Sequence, residues 1–126
     1  METKKIYELH EEHKEWLSKL AFYKDDLGVM HNRINEVASK NTGSDVLKLV
    51  EHFQNQFIIQ KNNIDELNHS IKDHETYLEN RIKENSVAAD HRSVNDHPKM
   101  RDAFYSFEKV FEELRHEFNA FLSKVM

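Results

Sequence analysis

Residues 16–37 read WLSKLAFYKDDLGVMHNRINEV, and the spacing of their apolar side chains decides the fold. Trp16, Leu20, Tyr23, Leu27, Met30, Ile34 and Val37 follow one another by steps of three and four, the repeat of a helix that buries one stripe. Toward the N-terminus the same stripe takes in Ile6, Leu9 and His13. With Ile6 as a heptad a position, His13, Leu20, Leu27 and Ile34 are also a, while Leu9, Trp16, Tyr23, Met30 and Val37 are d. The pattern predicts one helix over about residues 4–39, with Gly28 off the seam and only a local weakness.

The stretch SKNTGSD ends this helix. Gly43 is expected to leave it with positive φ, and Thr42 or Ser44 to cap the next. A turn so short makes the neighbouring helices antiparallel. The second helix is predicted over about 45–84, with Val50, Phe57, Ile64, Ile71 and Leu78 at a and Phe53, Gln60, Leu67 and His74 at d. The segment 85–97 breaks the pattern and is read as a loop, and Pro98 suits the first turn of a third helix over about 98–125. Met100, Phe104, Phe107, Phe111, Leu114, Phe118, Phe121 and Val125 give that helix the most aromatic face in the chain.

The expected fold is all-α: one domain over 1–126, an antiparallel up-down-up three-helix bundle with long helices. Composition agrees. Two glycines and one proline leave little turn punctuation, while eight Phe, four Tyr and one Trp supply core material to a chain that is 33% charged. A net charge of -5 with no basic stripe argues against a nucleic-acid or anionic-membrane partner. No run approaches a membrane span, and the N-terminal METKKIYELHEEH has no apolar signal region, so a soluble, cytoplasmic protein is expected. Without cysteine, thiolate nucleophiles, iron–sulfur clusters and Cys-type zinc sites are excluded, and any metal would rest on His and carboxylate.

The histidines carry the remaining chemistry. His10 and His13 stand three residues apart, a spacing that lets two ring nitrogens reach one ion. A turn centred near Thr42 pairs residues whose numbers sum to about 84, which sets His10 opposite His74 and His13 opposite Ile71. The loop closes the same end and offers His91 and His97, each after an Asp. The candidate ligand set is therefore His10, His13, His74, His91 and His97, for zinc, copper or iron. The commoner fate of a buried histidine is a hydrogen bond to a neighbour, and on that reading no cofactor is present.

Other motifs read as structure. Two Glu-x-x-His steps, Glu66–His69 and Glu113–His116, have the spacing of di-iron helices but fall on flanking or outer positions. Lys24 is expected to face Gln60 in a polar layer that fixes register. His31 and His52, with Glu51, form a secondary metal candidate. Phe22, Ile58, Ile59 and Tyr105 lie off the seams and offer surface to a second copy. No phosphate loop, nucleophile elbow or buried carboxylate pair points to an enzyme. The function expected first is non-enzymatic: association as a homodimer or with another helical protein. The alternative is a His-rich metal-binding bundle with its site near the loop-capped end, and a third reading is a bundle that responds to pH through its seam histidines.

Overall fold

The computed structural model describes the backbone of residues 2–84 and 86–125 and the side chains of residues 7–80 and 97–125. Three helices follow in order: α1 (Glu2–Lys40), α2 (Ser44–Glu84) and α3 (Ser86–Val125). At 39, 41 and 40 residues they are nearly equal, each about 60 Å long at 1.5 Å per residue. Among the described residues no helix is long and apolar enough to cross a membrane.

The heptad reading of α1 holds at each described position: His13, Leu20, Leu27 and Ile34 at a, and Leu9, Trp16, Tyr23, Met30 and Val37 at d, are all buried. On α2 the a residues from Val50 to Leu78 are buried together with Phe53, Gln60 and His74, and Leu67 is partly buried. Phe104, Phe107, Phe111, Leu114, Phe118 and Phe121 face inward from α3. Each large side chain so buried contributes about 1.5–3 kcal/mol.

Contact order along the chain sets the helix directions. His10 meets Glu75 and Lys24 meets Asp65, so α1 and α2 run in opposite senses. Glu12 meets Arg101, Tyr23 meets Glu108 and Asp26 meets Arg115, so α1 and α3 run in the same sense. The bundle is up-down-up.

Three expectations change. Lys24 pairs with Asp65 at 3.2 Å instead of facing Gln60, and His13 meets His74 instead of Ile71. Both partners move toward the C-terminal end of α2, because seam residues of facing helices pack into the gaps between one another instead of head-on. At the α1–α2 turn no glycine has positive φ. Gly43 instead stands where an N-cap does, since its carbonyl accepts the first helical bond of α2 from the Leu47 N–H at 3.0 Å. The Asn41 side chain donates to the Val37 carbonyl at 2.8 Å and closes the end of α1.

The third change bears on the site. Residues 86–97, expected to lie in a loop, are helical: α3 begins at Ser86 and Pro98 lies inside it. Proline ends a helix only where its missing N–H and its ring cannot be accommodated. Ala88 and Ala89 are strong helix formers that offset part of its cost. His97 is thus presented by a helix, one turn from Arg101.

The core divides near one end. A continuous apolar cluster runs from Trp16 and Phe104 through Tyr23 and Phe111 to Val37, Phe53, Phe118 and Phe121. Leu9 and Leu78 form a small separate pair. Between these two apolar groups lies a layer of histidine.

Candidate metal centre

Each helix gives one buried imidazole to this layer. His13 comes from an a position of α1, His74 from a d position of α2, and His97 from α3. Their ring centroids are 4.9 Å apart for His13 and His74, 5.2 Å for His13 and His97, and 6.0 Å for His74 and His97. One nitrogen from each lies within 4.8 Å of the others. Trp16 stacks on His97 at 5.0 Å with its ring tilted by 19°, and on Phe104 at 5.5 Å, which seals the inner side from water.

Two carboxylates fix the tautomers. Glu12 Oε1 lies 2.9 Å from His97 Nε2, and Glu75 Oε2 lies 2.6 Å from His13 Nδ1. A carboxylate only accepts, so His97 donates from Nε2 and His13 from Nδ1. The lone pairs therefore sit on His97 Nδ1 and His13 Nε2. His13 Nε2 points at His74 Nδ1, 2.9 Å away. His97 Nδ1 is buried and has no hydrogen-bond partner.

Glu12 is itself held by Arg101, whose Nε and terminal nitrogen donate to its two oxygens at 3.1 and 2.6 Å. Burial pushes the Glu12 carboxyl up, yet the hydrogen bonds and charges of Arg101 and His97 outweigh it and hold the group below the usual carboxylate range. Burial pushes the His97 imidazole down, against the opposing pull of Glu12, and leaves it below its ordinary value. At neutral pH the pair is an ionised carboxylate accepting from a neutral imidazole.

The His13–His74 separation is compatible with a shared ion. At metal–nitrogen bonds of about 2.0–2.1 Å, two ligands lie about 3.3 Å apart in a tetrahedral site and about 2.9 Å apart at right angles. The His13–His74 contact of 2.9 Å falls in that range. Each of the two carboxylate-bound histidines also has the outer arrangement typical of metal ligands, with its far N–H on an oxygen.

Of the five ligands expected from sequence, the structure brings together His13, His74 and His97. His10 stands apart from them: it is half-buried and its Nδ1 contacts Glu75 Oε1. The side chain of His91 lies outside the described residues. Glu12 and Glu75 escaped the sequence reading, although each adjoins a seam histidine in sequence at a flanking heptad position, which was the available signal. Glu66, His69, Glu113 and His116 are exposed, and His69 pairs with Asp73 at 3.1 Å. His31 and His52 are exposed, and neither belongs to a group of metal-ligating side chains among the described residues.

No known protein family, curated protein or solved structure matches this chain. Fold and side chains place it in the class of all-α three-helix bundles with a buried three-histidine layer, and function has to be argued from that layer.

Proposed function

We propose that this protein binds a transition metal ion of the zinc, copper or iron type through His13, His74 and His97. The observation that carries the reading is the direction of the lone pairs. Two carboxylates occupy the outer N–H groups of His13 and His97, which leaves His97 Nδ1 as an unpartnered electron pair in a dry layer and turns the His13 Nε2 pair inward, where it accepts from His74 Nδ1. Hydrogen bonding alone satisfies a histidine cluster without an orphaned ring nitrogen; an ion uses that nitrogen as a ligand. An all-imidazole donor set suits zinc, copper, iron or nickel and is a poor match for calcium or magnesium.

The test is metal content. Protein purified without an affinity tag, equilibrated with zinc, copper or iron and then desalted, is expected to hold a stoichiometric ion that His13→Ala, His74→Ala and His97→Ala each remove while helicity is retained. A wild-type chain that emerges with less than about a tenth of an equivalent sinks the reading.

Association through a helix face draws less support. Several of the exposed apolar side chains lie apart from one another: Val29 and Ile58 line the groove between α1 and α2, Val110 the one between α2 and α3, and Phe22 lies beneath the Arg115 guanidinium. A homodimer of helical bundles needs them on one surface.

A further inference from the structure

We propose that a second divalent cation binds beside the three-histidine site, held by His10, Glu75 and Glu79 and joined to the first ion through Glu75. The proposal rests on the metal reading of His13, His74 and His97 and extends it.

Glu75 is where the two groups meet. Its Oε2 accepts from His13 Nδ1 at 2.6 Å, and its Oε1 contacts His10 Nδ1. A single carboxylate thus touches one imidazole of the inner site and one imidazole outside it. Glu79 follows Glu75 by one helical turn, and an oxygen of each lies within 4.8 Å of the other and of a His10 nitrogen. Like charges at this spacing repel. Among the described residues no Lys or Arg pairs with either carboxylate, and Glu79 makes no hydrogen bond or ion pair. Among the described residues no cation offsets these two close carboxylates, and a divalent cation would supply that charge.

The exchange balances simply. In the metal-free protein a proton on His10 Nδ1 lies between that nitrogen and Glu75 Oε1. The incoming cation takes Nδ1 and Glu75 Oε1 and draws in a Glu79 oxygen; Nδ1 gives up its proton while Nε2 takes one from solvent, so the ring changes tautomer, stays neutral and frees the Nδ1 lone pair. Glu75 Oε2 keeps its bond from the His13 N–H. The outer donors are one imidazole and two carboxylates, half-exposed, a harder and more open set than the three buried imidazoles. It holds zinc, manganese or ferrous iron more weakly and releases it more readily. Both cations draw on the charge of Glu75, so each weakens the other's binding by the same factor.

Metal-free full-length chain is titrated with zinc by calorimetry and equilibrium dialysis, and with cobalt, whose visible absorption separates the two environments. The expected result is two equivalents of different affinity. His97→Ala removes the tighter one, and Glu79→Gln or His10→Ala removes the weaker one and keeps the tighter. Glu79 is exposed, so Glu79→Gln leaves the fold intact, which circular dichroism verifies. A single equivalent, lost in His97→Ala and unaffected by Glu79→Gln, overturns the second site and leaves the first standing. Two equivalents that both survive Glu79→Gln and His10→Ala also overturn it. No binding by the wild-type chain overturns both readings.

Discussion

The two ends of the bundle are built on the same heptad seams and filled in opposite ways. Near the α1–α2 turn, Phe53 packs on Phe118 at 5.3 Å and on Phe121 at 5.1 Å, and Phe57 meets Phe118 edge-on at 5.1 Å. At the far end the corresponding seam positions carry His13 and His74, with His97 beside them and carboxylates behind. Aromatic burial stabilises the fold outright. Imidazole burial in the same geometry yields less stability and leaves a ring nitrogen, His97 Nδ1, without a hydrogen bond. The apolar cluster supplies the stability, and the proposed metal site lies at its other end.

That contrast can be broken from either side, and the largest effect is expected at the aromatic end. Phe118→Ala should cost about 3–5 kcal/mol, read as a lower urea midpoint at unchanged slope. The loss should be the same with and without metal; a loss that depends on metal would show that the ends are not separate.

Zinc at a hundred times its dissociation constant should stabilise the wild-type chain by about 2.7 kcal/mol. Phe118→Ala should keep that increment and His97→Ala should lose it. A His97→Ala chain that zinc still stabilises in full would remove His97 from the site.

Glu12→Gln leaves the ligands in place and weakens both the acceptor behind His97 and the partner of Arg101. Metal affinity is expected to fall about 10–100-fold alongside a smaller loss of metal-free stability, and competition with a chelator measures the first apart from the second. An unaltered affinity would mean that Glu12 serves only Arg101.

Acid should act through the histidine end. Burial holds His97 below its ordinary value, so above about pH 6.5 both folded and unfolded chains carry it neutral and it has no effect. Below that pH the unfolded chain takes up the proton first, and stability falls until the folded pKa is reached. Glu12, held low, adds a loss in the same direction as its own proton binds at still lower pH. Melting temperatures of metal-free protein between pH 7.5 and 5.5 should therefore decline, less steeply in His97→Ala and with unchanged slope in Phe118→Ala.

The smallest effect is expected mid-bundle, at Tyr23→Phe. It deletes the 2.6 Å hydrogen bond to Glu108 and should cost about 0.5–1.5 kcal/mol. Metal affinity should not move, because Tyr23 touches Phe107 and Phe111 but none of the histidines.

Much of the fold was legible because α1 and α2 carry an unbroken repeat, and a repeat of that length admits one buried stripe. Legibility failed at segment 85–97. There the sequence offers a proline and several polar residues, signals that a loop and a tolerated helical proline share. The candidate site was readable as far as seam position goes: His13 and His74 stand at a and d, and antiparallel pairing brings them to one level. It was not readable as a ligand set. The register puts His13 on the seam and His10 on the flank, and only the structure shows that His10 turns to Glu75. Glu12 and Glu75 escaped the sequence reading, because only their partners across the bundle give them a role.

The sequence by itself determined three long helices, the stripe each one buries and the presence of histidine within those stripes, because helical periodicity is a property of local spacing. Tertiary structure alone decided which nitrogens converge, where α3 begins relative to His97, and which carboxylates hold the outer protons. Those outcomes depend on the stagger between helices, and stagger follows from how side chains of three chain segments interlock, which no single stripe encodes.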